Sequence, residues 1–385
     1  MAATYQNFFK KLCGRPKLKK KEGRGSVHLT GELFQFQKGK DGITRLFIGS
    51  KTNNIGYLAI KSHKKYKQPK SLYIKKRHNS YWVSFCYELE ENSIFSDKEH
   101  YKSLSQKGED YLMQHTVGID RGVARAVQTS LEREVFFDLK PHEKAHKTYL
   151  EARKKYYQKK LSRQKKGSNR RHSTKIRLSA RHQSIANIRD NFCHQTSRKL
   201  VSRKNTQIII FEDLGTKRMT RKPKPKKDNN GKFLPNKAKA KAGLNKSILD
   251  KNWYKLELYT KYKANNLGKA FFKIAPNHTS QECAHCHHIH PQNRKTQSQF
   301  QCVQCGHTDN ADFNATKVIK LRAIHYLLTA GTELSKRGVL SLKDIGRGAR
   351  VRHIDVVSTP VCTGKEASKE KVAPCYWKLY GFSLE

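Results

Sequence analysis

The sequence predicts an α+β or mixed fold, a small all-β module followed by a larger α/β unit, on three observations. Five short β-branched or aromatic runs cluster between residues 25 and 91. Apolar strands then alternate with long helical stretches from about 115 onward. Two Cys-x-x-Cys pairs, Cys283/Cys286 and Cys302/Cys305, interrupt that second pattern with fifteen residues between them.

Composition sets the outer limits. A chain of 385 residues suggests two or three domains, and 36% apolar residues can build a real core. Lys and Arg number 80 against 31 Asp and Glu, a formal charge of +49. Self-repulsion on that scale calls for a polyanionic partner, and nucleic acid fits because each neutralised phosphate releases a counterion. An anionic membrane surface is the alternative, but no run approaches the roughly 18 apolar residues of a spanning helix. The N-terminus MAATYQNFFKK lacks a signal-peptide core. The expectation is a cytoplasmic, nucleoid-associated protein without a membrane partner. Cys13, Cys86, Cys193, Cys362 and Cys375 are scattered and odd in number, which suits free thiols in a reducing compartment.

In chain order, residues 1–24 read as an extended basic segment without a core. Residues 25–91 carry LFQF, ITRLFIG, IGYLAI, SLYIKK and YWVSFCYEL between Gly/Asp/Asn turns, five strands that suggest a small barrel. Lysines alternate there with aromatics, a pattern suited to stacking and neutralising nucleic acid. Residues 92–113 are polar and read as a linker. HTVGIDRGVARAV, 115–127, is a short strand ending at Asp120, a turn at Gly122 and a second strand into Val127. A carboxylate at the inner end of a core strand is costly unless paired or metal-bound, although a lone Asp there could also be a turn residue. Residues 144–203 read as a helix pair broken at 167–169. Between Lys144 and Arg181 they carry fifteen Lys/Arg against the single acid Glu151. Left unpaired, so one-signed a surface repels itself, and a phosphate backbone relieves it.

QIIIFEDLG, 207–215, is a buried strand ending in Glu212 and Asp213. The loop 216–246, with twelve Lys/Arg and one acid, reads as a mobile basic arm. A helix over 253–265 and the strand AFFKIA, 270–275, lead into the cysteines. Two-residue gaps let one knuckle present two thiolates to one ion, so four Cys predict a closed, structural Zn²⁺ site. His285, His287, His288, His290 and His307 crowd the site, and one of them could replace a thiolate. Asp312 follows at the head of a helical pattern, where by itself it reads as a cap. Residues 336–385 read as a disordered tail.

Three acids, Asp120, Glu212 and Asp312, thus stand at strand or helix ends in a strongly basic chain. Converging carboxylates need neutralising cations, and two Mg²⁺ ions so held can activate a water and stabilise a leaving 3′ oxygen. GIDRGVARAV, IIIFEDLG and TSQECAHC…CVQCGHTDNADFNAT resemble the split motifs and zinc ribbon of TnpB, a family of transposon-encoded, RNA-guided DNA endonucleases. The resemblance spans roughly residues 10–335. It implies an RNase H-like (RuvC) nuclease domain over 92–282 and 306–335, a zinc ribbon over 283–305, and a wedge-like β-barrel over 25–91. It also implies catalytic, Mg²⁺-binding Asp120, Glu212 and Asp312; zinc on Cys283, Cys286, Cys302 and Cys305; and a supporting Asn314. The implied partners are a guide RNA from the transposon end and a double-stranded DNA target. Family members usually carry a further strand and recognition helices ahead of the segment that here starts at Tyr5, so residues 1–24 are expected to be a remnant. A cleavage-deficient guide-RNA or DNA-binding regulator of the transposon is the alternative. A guide-free junction resolvase is a third, which the basic arms and the ribbon disfavour.

Overall fold

The computed structural model describes residues 2–10, 12, 14–15, 26–39, 42–50, 52–60, 66–77, 80–87, 96–132, 135–335 and 337–342. They fall into two units, one ending at Leu89 and one beginning at Glu90.

The first unit opens with helix α1 (Ala2–Phe9) inside the segment expected to be extended. Six strands follow: β1 (Ser26–Thr30), β2 (Phe34–Lys38), β3 (Thr44–Gly49), β4 (Asn54–Ile60), β5 (Ser71–Arg77) and β6 (Ser80–Cys86). They form two three-stranded antiparallel sheets, β1-β5-β6 and β2-β3-β4. Leu29, Leu72, Val83 and Phe85 from the first sheet share one core with Phe34, Leu46 and Ile60 from the second. Strand β1 was not foreseen: SVHLT buries only Leu29, and its place comes from pairing with β5 over five residues. Cys86 is a free thiol.

In the second unit the expected linker is helical. Helices α2 (Asp97–Leu104) and α3 (Glu109–His115) are polar, yet each drives one leucine, Leu104 or Leu112, into the main core. Ser96 caps α2 reciprocally with Glu99. Next come β7 (Thr116–Asp120), β8 (Val127–Thr129) and β9 (Phe136–Phe137), an antiparallel meander. The basic helix pair is α4 (Pro141–Ser162) and α5 (Asn169–Val201), with Ser168 capping the second. Strand β10 (Ile208–Glu212) returns parallel to β7.

The basic arm is not unstructured. It forms a short helix α6 (Thr216–Met219), a small hairpin of β11 (Lys226–Lys227) with β12 (Phe233–Leu234), and helix α7 (Ala238–Asp250). Lys241 and Asn245 tie α7 back to the carbonyls of Met219 and Thr220. Helix α8 (Trp253–Asn265) and strand β13 (Ala270–Ile274) follow, the latter parallel to β10. A short hairpin between the cysteines and the last helix, β14 (Gln299–Gln301) with β15 (Thr308–Asn310), precedes helix α9 (Ala311–Leu328). The last described strands are β16 (Thr332–Leu334) and β17 (Val339–Leu342). β17 lies parallel to β13 and buries Leu340, so the expected tail boundary at 336 falls too early. Residues 343–385 lie outside the described residues.

The seven strands run β16-β17-β13-β10-β7-β8-β9. β10 and β13 are buried on both sides, which is why they read as unbroken apolar runs. Alternation divides them between two cores. Ile208, Ile210 and Phe272 face Ile319, Ala323 and Ile324 of α9. Ile209, Phe211 and Phe271 face Leu200 of α5 and Leu256 of α8. Acids are few, and several serve as clamps among the basic helices: Asp250 holds Lys147 and Arg189, and Asp190 holds Lys255 at 2.6 Å. Among the described residues no helix is long and apolar enough to cross a membrane.

Candidate active and metal sites

Strand alternation decides where the acids point. Val117 and Ile119 face α8 and α5, so Gly118 and Asp120 face α9. Ile208 and Ile210 do the same in β10, which carries Glu212 to that side. Register pairs Phe211 with Ile119, so Asp120 and Glu212 stand side by side at the ends of adjacent parallel strands. Gly118 lets α9 approach: a Cβ there would lie 2.3 Å from the Thr316 carbonyl and 2.7 Å from the Lys320 nitrogen.

The first turn of α9 then presents Asp312. The cap of this helix is Asn310, whose Oδ1 accepts from the backbone N–H groups of Asp312 and Phe313. Asp312 is therefore not occupied as a cap, which removes the plain structural explanation for it.

Asp120 feels both of the other carboxylates. The Asp120 pKa is pushed up from 3.8 to about 7, first by burial and then by the charges of Glu212 and Asp312. Some of the Asp120 surface remains accessible, but protein surrounds it closely enough for desolvation to dominate. Glu212 is 7% exposed and also raised, chiefly by burial. Two cations about 3.5–4 Å apart, with ligands at about 2 Å, could be shared by carboxylates presented from two strand ends and one helix start. A buried cluster of hard oxygen donors with too few cations of its own fits Mg²⁺.

Three partners of these acids were not read from the sequence. The Thr279 hydroxyl donates to Glu212 Oε1 at 2.5 Å. Arg294, from between the two cysteine pairs, reaches Asp312 Oδ1 at 3.3 Å. Arg121 is buried and donates to the Glu212 backbone carbonyl.

The four thiols form a separate site. Cys283 and Cys305 Sγ atoms lie 3.7 Å apart, and those of Cys286 and Cys302 3.5 Å apart. Thiolates at ~2.3 Å around one tetrahedral ion would stand roughly 3.8 Å apart, so these four can hold a zinc ion. The two knuckles are alike. His287 donates its N–H to the Cys283 carbonyl, and Gly306 does so to Cys302. Both sit at positive φ, 58° and 72°. No histidine belongs to the cluster; His287 instead contacts Glu282 through Nδ1 at 2.9 Å.

Two buried asparagines join the parts. Asn293 donates to the carbonyls of Gln281 and His288 and accepts from Val303 N–H, linking one knuckle to the other. Asn314 of α9 donates to the Glu282 carbonyl at 2.7 Å and accepts from Ala284 N–H at 3.0 Å. Asn314 thus supports the first knuckle on the helix that carries Asp312.

Comparison with known proteins follows the same division of the chain. Residues 84–222 match the OrfB_IS605 family model, described as "Probable transposase". Residues 253–319 match the model described as "Cas12f1-like, TNB domain". The first match contains Asp120 and Glu212, and the second contains Asp312 and the four cysteines. InsQ of Escherichia coli (strain K12), named as a candidate RNA-guided DNA endonuclease, is 34% identical over 215 residues, 56% of this chain and 50% of InsQ. The CRISPR-associated endodeoxyribonuclease Cas12f1 of Sulfoacidibacillus thermotolerans is 33% identical over 146 residues, 37% of this chain and 29% of that protein. A solved Cas12f1–sgRNA–target DNA complex is similar over 82% of this chain and 74% of that one, at 14% identity and a TM-score of 0.36. The chain aligns with no more than half the length of these two curated relatives.

Proposed function

We propose that this chain is a transposon-associated, RNA-guided DNA endonuclease that hydrolyses phosphodiester bonds at Asp120, Glu212 and Asp312. The observation that carries this reading is the convergence of Asp120, Glu212 and Asp312, from segments far apart in a chain of net charge +49, with Asp120 raised by burial and by the charges of the other two. A carboxylate group held at such cost, in a chain with cations to spare, is suited to binding ions that arrive with the substrate. Two Mg²⁺ ions, when bound, would supply Lewis acidity to an attacking water and a leaving 3′ oxygen. Asp120 and Glu212 would hold them from the sheet and Asp312 from the helix. Thr279 keeps Glu212 oriented through its Oε1.

The strand order β9-β8-β7-β10-β13, antiparallel then parallel, supports an RNase H-like assignment of this unit. The N-terminal two-sheet unit corresponds in this reading to a wedge-like β-barrel. The name of InsQ supports a guide RNA, and both names support a DNA target, taken in this reading as double-stranded. The basic faces of α4 and α5 would neutralise their phosphates, with affinity falling steeply as salt rises.

The test uses the full chain purified with RNA from its transposon end and a duplex matching that RNA. Mg²⁺-dependent cutting is expected in the wild type and loss to background in Asp120→Ala and Glu212→Ala, with RNA retention unchanged. Cutting that persists in either variant would refute the assignment.

A further inference from the structure

Behind the acid site, on the opposite face of the sheet, lies a partly buried chain of alternating charges. Alternation sends Arg121, the residue after Asp120, away from α9 and onto the Phe211 ring, 4.9 Å from its centroid. Arg121 is 3% exposed. One guanidinium nitrogen donates to Glu257 Oε2 of α8 at 2.9 Å, and the other donates to the backbone carbonyl of Glu212. Glu257 in turn accepts from Lys273 of β13 at 3.1 Å, and Lys273, 7% exposed, reaches Asp213 at 2.8 Å. Asp213 follows Glu212 in the chain. The series Arg121–Glu257–Lys273–Asp213 thus begins beside one proposed metal-binding acid and ends beside another.

Arg121 and Lys273 are buried between two partly exposed carboxylates, and exposed Arg337 also reaches Asp213 at 3.2 Å. Losing Glu257 would therefore leave both buried cations short of a partner. Where this series grips the site also matters. Arg121 holds the carbonyl of Glu212 and leaves its carboxylate oxygens on the far face. A cation bonded to those oxygens would compete with a metal ion, whereas one bonded to the main chain fixes the strand end and spares them. Only a planar fork can serve both Glu257 and the Glu212 carbonyl at once; a lysine ammonium in its place carries the charge without that geometry.

We propose that Arg121, held by Glu257, is a positioning residue that sets the spacing of Asp120 and Glu212 for divalent-cation binding. This rests on the reading of those acids as metal ligands. Outer partners of ligating residues typically change metal affinity about 10–100-fold when removed. The role is distinct from core packing, which the neighbouring Leu200 performs on the same face.

The test is a Mn²⁺ titration of the full chain by electron paramagnetic resonance, counting only the binding that Asp120→Ala abolishes. Arg121→Lys and Glu257→Gln are expected to raise the Mn²⁺ dissociation constant roughly tenfold or more. Leu200→Ala, which lowers thermal stability through a cavity, should bind as the wild type does. Unchanged Mn²⁺ affinity in Glu257→Gln and in folded Arg121→Lys would overturn the proposal, and so would an equal loss in Leu200→Ala. If the wild type shows no Asp120-dependent Mn²⁺ binding, the underlying reading of the acids fails first.

Discussion

The cysteine cluster and the acid cluster are built in opposite ways. All four thiols come from one stretch, Cys283 to Cys305, and two similar knuckles present them. The acids come from positions 120, 212 and 312, and a seven-stranded sheet and one helix bring them together. A local site of soft ligands has little structure to stand on without its ion, so metal binding and folding are one event there. A site assembled by a sheet is formed beforehand, and its cost appears as repulsion among carboxylates. The two meet at Asn314, which fastens the first knuckle to the helix bearing Asp312.

The largest effect should come from breaking the local site. Cys302→Ser is expected to release zinc and to strip hydrogen-exchange protection from residues 279–310, while β7 and β10 keep theirs. Retention of stoichiometric zinc would contradict the four-thiolate assignment.

Cutting the link between the sites should cost less. Asn314→Ala leaves the buried Glu282 carbonyl and Ala284 N–H unpaired, which should destabilise the cysteine-bearing segment by about 2–4 kcal/mol. Zinc should stay bound and exchange protection should fall first around Glu282–Cys286. Global unfolding with no local step would show that the two sites are not separable.

A third effect belongs to the acid site alone and is read through pH. Asp120 is raised from 3.8 to about 7, so between those values the folded chain keeps a proton that the unfolded chain has released. Stability of the metal-free protein should therefore fall as pH rises from about 4 to about 7. Thermal melts should show that slope, Asp120→Asn should flatten it, and Mg²⁺ should reverse it at the upper end. A metal-free protein that gains stability over this window would contradict the repulsion.

Legibility in the sequence follows the same contrast. The knuckles were plain because spacing alone specifies them, and the helix Trp253–Asn265 and the strand Ile208–Glu212 stood out through unbroken patterns. The three acids could be singled out only together, because each has a plain local explanation. What spacing could not supply was partners across the fold. Arg294 reaches Asp312, and Thr279 reaches Glu212, through packing of the cysteine-bearing segment against the sheet. Helices α2 and α3 passed for a linker because each commits a single leucine to the core, and VLSL in β17 is too short to announce a strand. The basic arm passed for unstructured because its charge hides α7, whose end is fixed by Asp250 between Lys147 and Arg189.

The most direct measurement is the anomalous signal of Mn²⁺ in crystals of the full chain bound to guide and target. Two peaks about 4 Å apart, each touching oxygens of Asp120, Glu212 or Asp312, are the predicted result. Carboxylates separated by more than about a nanometre with no Mn²⁺ between them, beyond the reach of a shared ion pair, would contradict it.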